Sequence, residues 1–320
     1  FSTVYLKTGS GVAVTGSHNP PDYNGLKMML AGETLYGETI QDLYKAIVAD
    51  KLYTAEQKGS YEKVDVLPAY MKSITDDVKF SRPIKIVIDA GNGIAGPTAA
   101  ALFKTLGAEV EELYTNVDGN FPNHHPDPSK PANLQDLIKA LKEGDSEVGL
   151  AFDGDGDRLG VVTKDGEIIY PDRQAMLFAG DILSKRPGAT IVYDVKCTRN
   201  IKPFVESRGG KAVMSRTGHS LIKAKMKEVN ADFAGEMSGH IFFHDRWPGF
   251  DDGVYAGTRM IEILTRFADA NEPLKNLPNA VSTPELQIPT AEGENFELVE
   301  KIKQNAKFED AKDIITIDGI

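Results

Sequence analysis

Three aspartates alternate with two glycines in Phe152-Asp153-Gly154-Asp155-Gly156-Asp157-Arg158. The glycines let the backbone wrap tightly, and two like charges ~4 Å apart repel by about 4 kcal/mol at an effective dielectric of 20. Asp153, Asp155 and Asp157 therefore call for a cation, and an all-oxygen donor set calls for a hard one, Mg²⁺ or Ca²⁺. With only three short carboxylates, Mg²⁺ completed by a substrate or phosphoryl oxygen suits the loop best. An EF-hand loop is excluded: the sixth position, where Gly is needed, is Arg158, and the twelfth, where Glu is needed, is Lys164. A solvated acidic turn between strands is the alternative reading of the same residues.

Thr15-Gly16-Ser17-His18-Asn19-Pro20-Pro21 follows a strand-like run, which places Ser17 as an exposed nucleophile on a tight turn. The hydrolase elbow G-x-S-x-G does not match, because Gly16 adjoins Ser17. His18, the immediate neighbour, is poorly placed to act as a base for Ser17, whereas Lys27 could return to the same loop. A turn without function explains this segment equally well. Gly91-Asn92-Gly93-Ile94-Ala95-Gly96 fits the dinucleotide fingerprint, with acids at Glu109, Glu111 and Glu112 downstream. An NAD-dependent oxidoreductase using this loop is thus one alternative, but it leaves the aspartates without a role. A structural tight turn into a closely packed helix explains the same glycines.

Three further loops follow strand-like runs: Lys196-Cys197-Thr198-Arg199, Thr217-Gly218-His219-Ser220 and Gly235-Glu236-Met237-Ser238-Gly239-His240. Ligands collect at the carboxyl ends of strands in open α/β sheets, and Glu236, Ser238 and His240 suit sugar hydroxyls. His124, His125 and Asp127 sit among prolines in a rigid loop and are discounted as a metal site. Cys197 reads as a small buried hydrophobe, although Lys196 beside it would tend to lower its pKa.

The elements that must position these loops alternate between β-rich runs and amphipathic helices, which predicts α/β architecture with mixed, largely parallel sheets. Strands are expected over 11–15, 85–89, 109–114, 148–152, 159–163, 190–195, 211–215, 232–234 and 313–318. Helices are expected over 38–51, 97–106, 133–142, 172–185, 220–229, 253–268 and 295–306. The runs at 86–89 (IVID) and 191–194 (IVYD) both lead through a loop and a helix to glycine and another strand, which suggests a repeated unit. Boundaries near 59–64, near 166–170 and in the Pro-rich stretch 272–284 divide the chain into 1–62, 63–167, 168–279 and 280–320. These are the end of a first domain, two full α/β domains and the start of a fourth.

The 320 residues carry a net charge of −11, with 41% hydrophobic and 26% charged residues. That balance excludes a disordered chain and argues against a duplex nucleic-acid binder, which needs a basic face. No run reaches the ~18 apolar residues of a membrane span. Cys197 is the one cysteine, so no internal disulfide forms and a reducing, cytoplasmic setting is expected. The chain starts at Phe1 without a signal-peptide pattern and stops directly after a strand-like run, so a piece of a longer protein is expected.

Four motifs in this order, TGSHNP at 15–20, DGDGDR at 153–158, TGHS at 217–220 and EMSGH at 236–240, resemble the α-D-phosphohexomutase superfamily. Among its members the bacterial bifunctional phosphomannomutase/phosphoglucomutases are most similar. The likeness runs along essentially the whole chain, including DGNFPNHHPDP at 118–128 and DVKCTR at 194–199. It implies a four-domain protein around a central cleft. Ser17 would be the phosphoserine, and Asp153, Asp155 and Asp157 would bind Mg²⁺ together with its phosphoryl oxygen. Lys27, Arg158 and His240 would assist proton transfer or offset charge, while Glu236 and Ser238 grip sugar hydroxyls. His18, Lys196, Gly218, His219 and His240 would contact substrate.

The implied reaction interconverts hexose 1-phosphate and hexose 6-phosphate, of mannose and glucose, through a bisphosphate that turns over in the cleft, with glucose 1,6-bisphosphate as activator. The implied partners are small hexose phosphates, and the implied state is a monomer. A phosphoserine carries about −1.5 to −2 charges, so Lys27, Arg158 and a cation are needed before an anionic sugar phosphate can approach it. The family's N-terminal arginine and tyrosine would lie before Phe1, and its C-terminal phosphate-clamping loop beyond Ile320. The segment is therefore expected to hold metal but to catalyse poorly alone. A non-catalytic sugar-phosphate binding module is the remaining alternative.

Overall fold

The computed structural model describes all residues except 20, 21, 282–285, 287 and 292. Three sheets follow one another along the chain. The first is an antiparallel meander of β1 (Gly11–Thr15), β2 (Gly25–Leu30) and β3 (Glu33–Thr34). The second contains β4 (Ile84–Asp89), β5 (Ala108–Leu113), β6 (Val148–Phe152), β7 (Leu159–Thr163) and β8 (Ile168–Ile169), in the order β5-β4-β6-β7-β8. The third contains β9 (Thr190–Asp194), β10 (Lys211–Ser215), β11 (Phe233–Gly235) and β12 (Ile241–Phe243), in the order β10-β9-β11-β12. Parallel pairing holds β5-β4-β6 and β10-β9-β11 together, while β7, β8 and β12 join antiparallel.

The apolar runs of β6 (VGLAF) and β7 (LGVVT) are buried throughout, as expected for strands covered on both faces. Helix Gln135–Glu143 covers one face, turning Leu137 and Leu141 inward, and Ala95–Thr105 flanks the other. Helix Gly253–Leu264 is buried along its whole length and packs on β6, β7 and β12 together. The second and third sheets consequently share one core, in which Phe103, Phe152, Phe233, Phe243 and Tyr255 all belong to a single cluster. Arg259 lies inside it, bonded to both Asp245 oxygens at 3.1 and 2.9 Å and to the Tyr255 hydroxyl at 3.0 Å, with its guanidinium 4.4 Å above the Phe243 ring. A buried guanidinium needs a carboxylate partner of this kind, and its terminal nitrogens are bonded, whereas Nε has only the Glu262 carboxylate at 3.7 Å.

Most expected elements form within a few residues of their predicted ends, but several readings need correction. The first sheet is wholly antiparallel, so parallel pairing is less dominant than the alternation of elements implied. Strand β2 and helix Leu67–Asp77 were not foreseen. The helix expected over 253–268 ends at Leu264. The run 313–318 forms no strand, because no neighbouring strand offers it hydrogen bonds; Asp318 instead accepts from Thr217 N at 2.9 Å. Part of the stretch 272–284 lies outside the described residues. Among those described, no helix is long and apolar enough to cross a membrane.

The glycine fingerprint is a packing device. A Cβ on Gly96 would overlap the Thr115 carbonyl, and one on Gly93 would lie 2.9 Å from the carbonyl oxygens of Asp153 and Gly154. The Ile94 N–H, which would face a dinucleotide phosphate, donates to Gly154 O at 3.0 Å. Gly96→Ala is expected to destabilise the chain by about 1–3 kcal/mol, the usual toll of overpacking, visible as a lower melting temperature. Gly119→Ala, where a Cβ meets nothing within 4 Å, should leave the melting temperature unchanged; equal melting of the two variants would contradict this account.

Candidate active site

The aspartate loop is the turn of the β6–β7 hairpin. Gly156 takes φ +78° and donates its N–H to Asp153 O at 3.1 Å, while Arg158 N–H donates to Asp153 Oδ1 at 3.1 Å. The turn brings one carboxylate oxygen each of Asp153, Asp155 and Asp157 within 4.8 Å of one another. Asp153 is 0% exposed.

The serine loop arrives from the first sheet. Thr15 pairs with Gly25 and Ala13 with Lys27, so the Thr15 and Lys27 side chains rise on one face. Both reach Asp155 Oδ2, Thr15 Oγ1 at 3.0 Å and Lys27 Nζ at 2.9 Å, and Lys27 also pairs with Asp157 at 2.5 Å. Ser17 takes a left-handed φ of +52° and anchors its N–H on Thr15 Oγ1 at 2.8 Å. Its Oγ then lies 3.3 Å from Asp153 Oδ2, 3.2 Å from Asp155 Oδ1 and 3.1 Å from His18 Nδ1. This last contact corrects the reading of His18. Adjacency was taken to keep it from the serine hydroxyl, but the left-handed turn folds the ring back onto it. Burial, and then the charge of Arg158, lower the His18 pKa. Approach this close requires Gly154, where a Cβ would overlap Ser17 O.

The third sheet contributes from the opposite side. Arg158 and His240 form a β-bridge, and Arg158 Nε–H donates to His240 Nε2 at 3.2 Å. Glu236 N–H donates to His240 O at 3.0 Å, Gly218 N–H donates to Glu236 Oε1 at 2.5 Å, and the His219 ring stacks on His240 at 5.6 Å. Glu236 Oε2 is buried without a hydrogen-bond partner, and burial raises the pKa of the carboxyl. Ser238 is half-buried on the same turn, and Lys196 is exposed on the loop after β9. A cleft of about 1030 Å³ opens beside the carboxylates, with Thr15, Lys27, Asp155, Asp157, His219 and Asp251 among its walls.

Two acids in this region escaped the sequence reading. Asp251 lies 3.1 Å from His240 Nδ1 and 3.3 Å from Lys223 Nζ. Asp194, at the end of β9, accepts from Cys197 Sγ at 2.8 Å, Met237 N at 3.2 Å and Thr217 Oγ1 at 3.2 Å, tying three loops together. The Asp251-Asp252 doublet before a helix was the available signal for the first, since Asp252 caps that helix through Tyr255 N. The Cys197 expectation also needs correction: burial, with Asp194 beside it, pushes the thiol well up, outweighing any effect of Lys196. His124 is a structural ligand of Asp89, with Nε2 3.0 Å from both carboxylate oxygens.

The donor set fits a hard divalent cation. Burial, reinforced by Asp157 and Asp155, pushes Asp153 up to about 8, and Asp157 Oδ1 is buried with no hydrogen-bond partner. For Lys27, burial acts to lower the pKa, but the Asp157 and Asp155 carboxylates win and raise it. An unfolded Asp releases its proton near 3.9, so between about pH 4 and 8 Asp153 binds more proton in the folded metal-free chain than in the unfolded one, and its contribution to stability falls as pH rises. Asp153→Asn should therefore raise the melting temperature in EDTA at pH 7.5 by about 2–4 °C, the response of a large domain to ~1 kcal/mol. The same variant should lose the further rise that Mg²⁺ gives the wild type. A lower melting temperature for the variant in EDTA would refute the charge-crowding account.

Residues 1–54, 68–166 and 170–281 match the family models described as phosphoglucomutase/phosphomannomutase alpha/beta/alpha domains I, II and III. The chain is 58% identical over 321 residues to a phosphoglucomutase of Neisseria gonorrhoeae, covering 100% of this chain and 70% of that protein. It is 52% identical over 321 residues to the phosphomannomutase/phosphoglucomutase of Pseudomonas aeruginosa, covering 100% of this chain and 69% of the relative. The crystal structure of a phosphoglucomutase/phosphomannomutase family protein from Burkholderia thailandensis matches with a TM-score of 0.91 at 60% identity, over 97% of this chain and 66% of that one. The fold recurs, with a TM-score of 0.61 at 17% identity over 84% of this chain and 73% of the other, in an Aspergillus fumigatus N-acetylphosphoglucosamine mutase solved with GlcNAc-6P and magnesium. This chain thus spans about two thirds of the length of these relatives, and with its serine loop, aspartate loop and EMSGH motif at 236–240 brought to one place it belongs to the phosphoglucomutase/phosphomannomutase family of the α-D-phosphohexomutases.

Proposed function

We propose that this chain carries the phosphoserine, the metal loop and the sugar-recognition loops of a mutase that interconverts the 1- and 6-phosphates of mannose and glucose. The observation that carries this reading is the Ser17 hydroxyl lying 3.3 and 3.2 Å from two members of a carboxylate triad. A serine needs no such neighbours to be a turn residue, and three carboxylates have no reason to surround a neutral hydroxyl. Both make sense if the hydroxyl carries a phosphoryl group and the carboxylates hold a cation. Asp153, Asp155 and Asp157 would hold Mg²⁺, which supplies positive charge against the phosphoryl oxygens when bound.

The remaining roles belong to side chains of the chain itself. Lys27 and Arg158 offset the anionic charge of the phosphoserine and of the incoming sugar phosphate. His18 contacts the serine oxygen, and His240 meets the sugar hydroxyl that gives up or takes a proton. Glu236 has one buried, unpartnered oxygen to offer a sugar hydroxyl; Ser238, Lys196, Gly218 and His219 line the remainder of the sugar-phosphate path. A hexose 1,6-bisphosphate intermediate, with glucose 1,6-bisphosphate as activator, follows from a serine that must be phosphorylated before each turnover. The division at 1–62, 63–167, 168–279 and 280–320, a monomeric state and a cytoplasmic location complete the proposal.

Incubation with glucose 1,6-bisphosphate and Mg²⁺ should add one phosphoryl group, mapped to Ser17 by peptide mass, and a hexose monophosphate should remove it. Ser17→Ala should take up none, and Asp155→Asn should slow uptake at least about tenfold. Phosphate mapped elsewhere, or none on Ser17 in the full-length protein, would sink the mutase reading. Gly154→Ala, which pushes the Ser17 carbonyl away from the triad, is expected to slow labelling about as strongly as Asp155→Asn does; labelling at the wild-type rate would show that the close approach is unnecessary.

A further inference from the structure

We infer that Asp251 is a positioning residue that holds His240 in the tautomer with its proton on Nδ1 and its Nε2 lone pair toward Arg158. The inference rests on the reading of His240 as a group that meets substrate. Its starting point is Arg158. A guanidinium has five N–H donors and no acceptor, and it keeps its proton in proteins. Arg158 Nε lies 3.2 Å from His240 Nε2, which favours Nε2 as the accepting nitrogen without fixing it alone; an acceptor facing Nδ1 is needed to hold the neutral ring's proton there.

What faces Nδ1 agrees. Asp251 Oδ2 is 3.1 Å away and Asp157 Oδ1 is 3.5 Å away, both acceptors. Neither contact is an aligned hydrogen bond, and Nδ1 and Asp157 Oδ1 both rank among the buried polar atoms without one; the attraction is electrostatic. Asp251 is the better fixed of the two. It pairs with Lys223 Nζ at 3.3 Å, its backbone bridges to Phe242 in β12, and the buried helix Gly253–Leu264 begins two residues later. The His219 ring covers one face of His240, and His219 Nδ1 lies 3.8 Å from the same Asp251 oxygen. Asp157, by contrast, also pairs with Lys27 and belongs to the carboxylate triad.

The same atoms admit a rival occupant. Asp157, His240 and Asp251 bring their ligand atoms within 4.8 Å of one another, a nitrogen-and-oxygen set that suits a transition metal. A metal on Nδ1 would force the proton onto Nε2, donor against donor with Arg158 Nε–H. The arrangement around Arg158 therefore marks Nδ1 as a proton site. An acid that orients a histidine through the nitrogen remote from the reacting group is a recurrent device for setting its tautomer.

Nitrogen-15 spectra of the histidine-labelled protein test this, with the signals of His240 identified by their loss in His240→Gln. At a pH where the ring is neutral, Nδ1 should show the shift of a protonated nitrogen and Nε2 that of an unprotonated one. The wild-type spectrum alone decides this point, whether or not variants fold. The proton found on Nε2, or displaced from Nδ1 by added Zn²⁺, would overturn the inference. Asp251→Asn should give a mixture of tautomers and slow phosphoryl transfer from Ser17 to hexose monophosphate at least about tenfold, with Asp251→Glu recovering part of both. An Asp251→Asn protein with an unchanged tautomer would also overturn it. A failure of Ser17 to take up phosphate would count against the mutase reading and leave the tautomer result standing.

Discussion

Crowded negative charge at one hairpin turn is the constraint around which the molecule is arranged. Asp153 is sealed from solvent between Asp155 and Asp157, which reach the cleft only in part, so water screens their mutual repulsion poorly. The protein answers with cations drawn from separate parts of the chain. Lys27 comes from the first sheet and Arg158 from the end of the turn itself, while the His240 ring approaches Asp157 from the third sheet. None of these would be held in place by its own sheet alone. The charge that makes the turn unfavourable in isolation is what draws the first sheet to the platform formed by the other two.

Close approach of backbones is the second requirement, and it explains glycines that would otherwise look like a cofactor motif. Gly93 lies against the carbonyls of Asp153 and Gly154, and Gly154 lies against the carbonyl of Ser17. The three loops are stacked main chain on main chain, with no room for a side chain between them. Ser17 is in a left-handed conformation because its N–H is tied to Thr15 while its hydroxyl is turned toward the carboxylates. That strained turn is also what folds His18 back onto the serine.

The parts of the molecule are joined by different forces. The second and third sheets share a hydrophobic core and the fully buried helix Gly253–Leu264, with Arg259 paired to Asp245 inside it. The first sheet has no residue in that core other than Phe1 packing at its margin before β1. It meets the rest through ion pairs, Lys27 with Asp155 and Asp157, and Glu33 with Lys227. Charge complementarity, which is directional, sets where Ser17 sits; burial, which is not directional, sets the platform on which it sits.

The sequence alone determined the α/β alternation, most strands and helices, and the residue types of the site, because hydrophobic periodicity and turn glycines are local properties. It pointed too to a cation at the aspartates, since three carboxylates in five residues repel one another, with a solvated acidic turn as the alternative. Strand β2 was hidden because GLKMML shows no alternation, and the run 313–318 looked like a strand because periodicity cannot report whether a pairing partner exists. Only the tertiary structure decided that His18 reaches Ser17, that the fingerprint glycines serve packing, and that Asp251 and Asp194 belong to the site. The first depends on the left-handed turn at Ser17 and the others on segments meeting from distant parts of the chain, and spacing along a sequence carries no record of either.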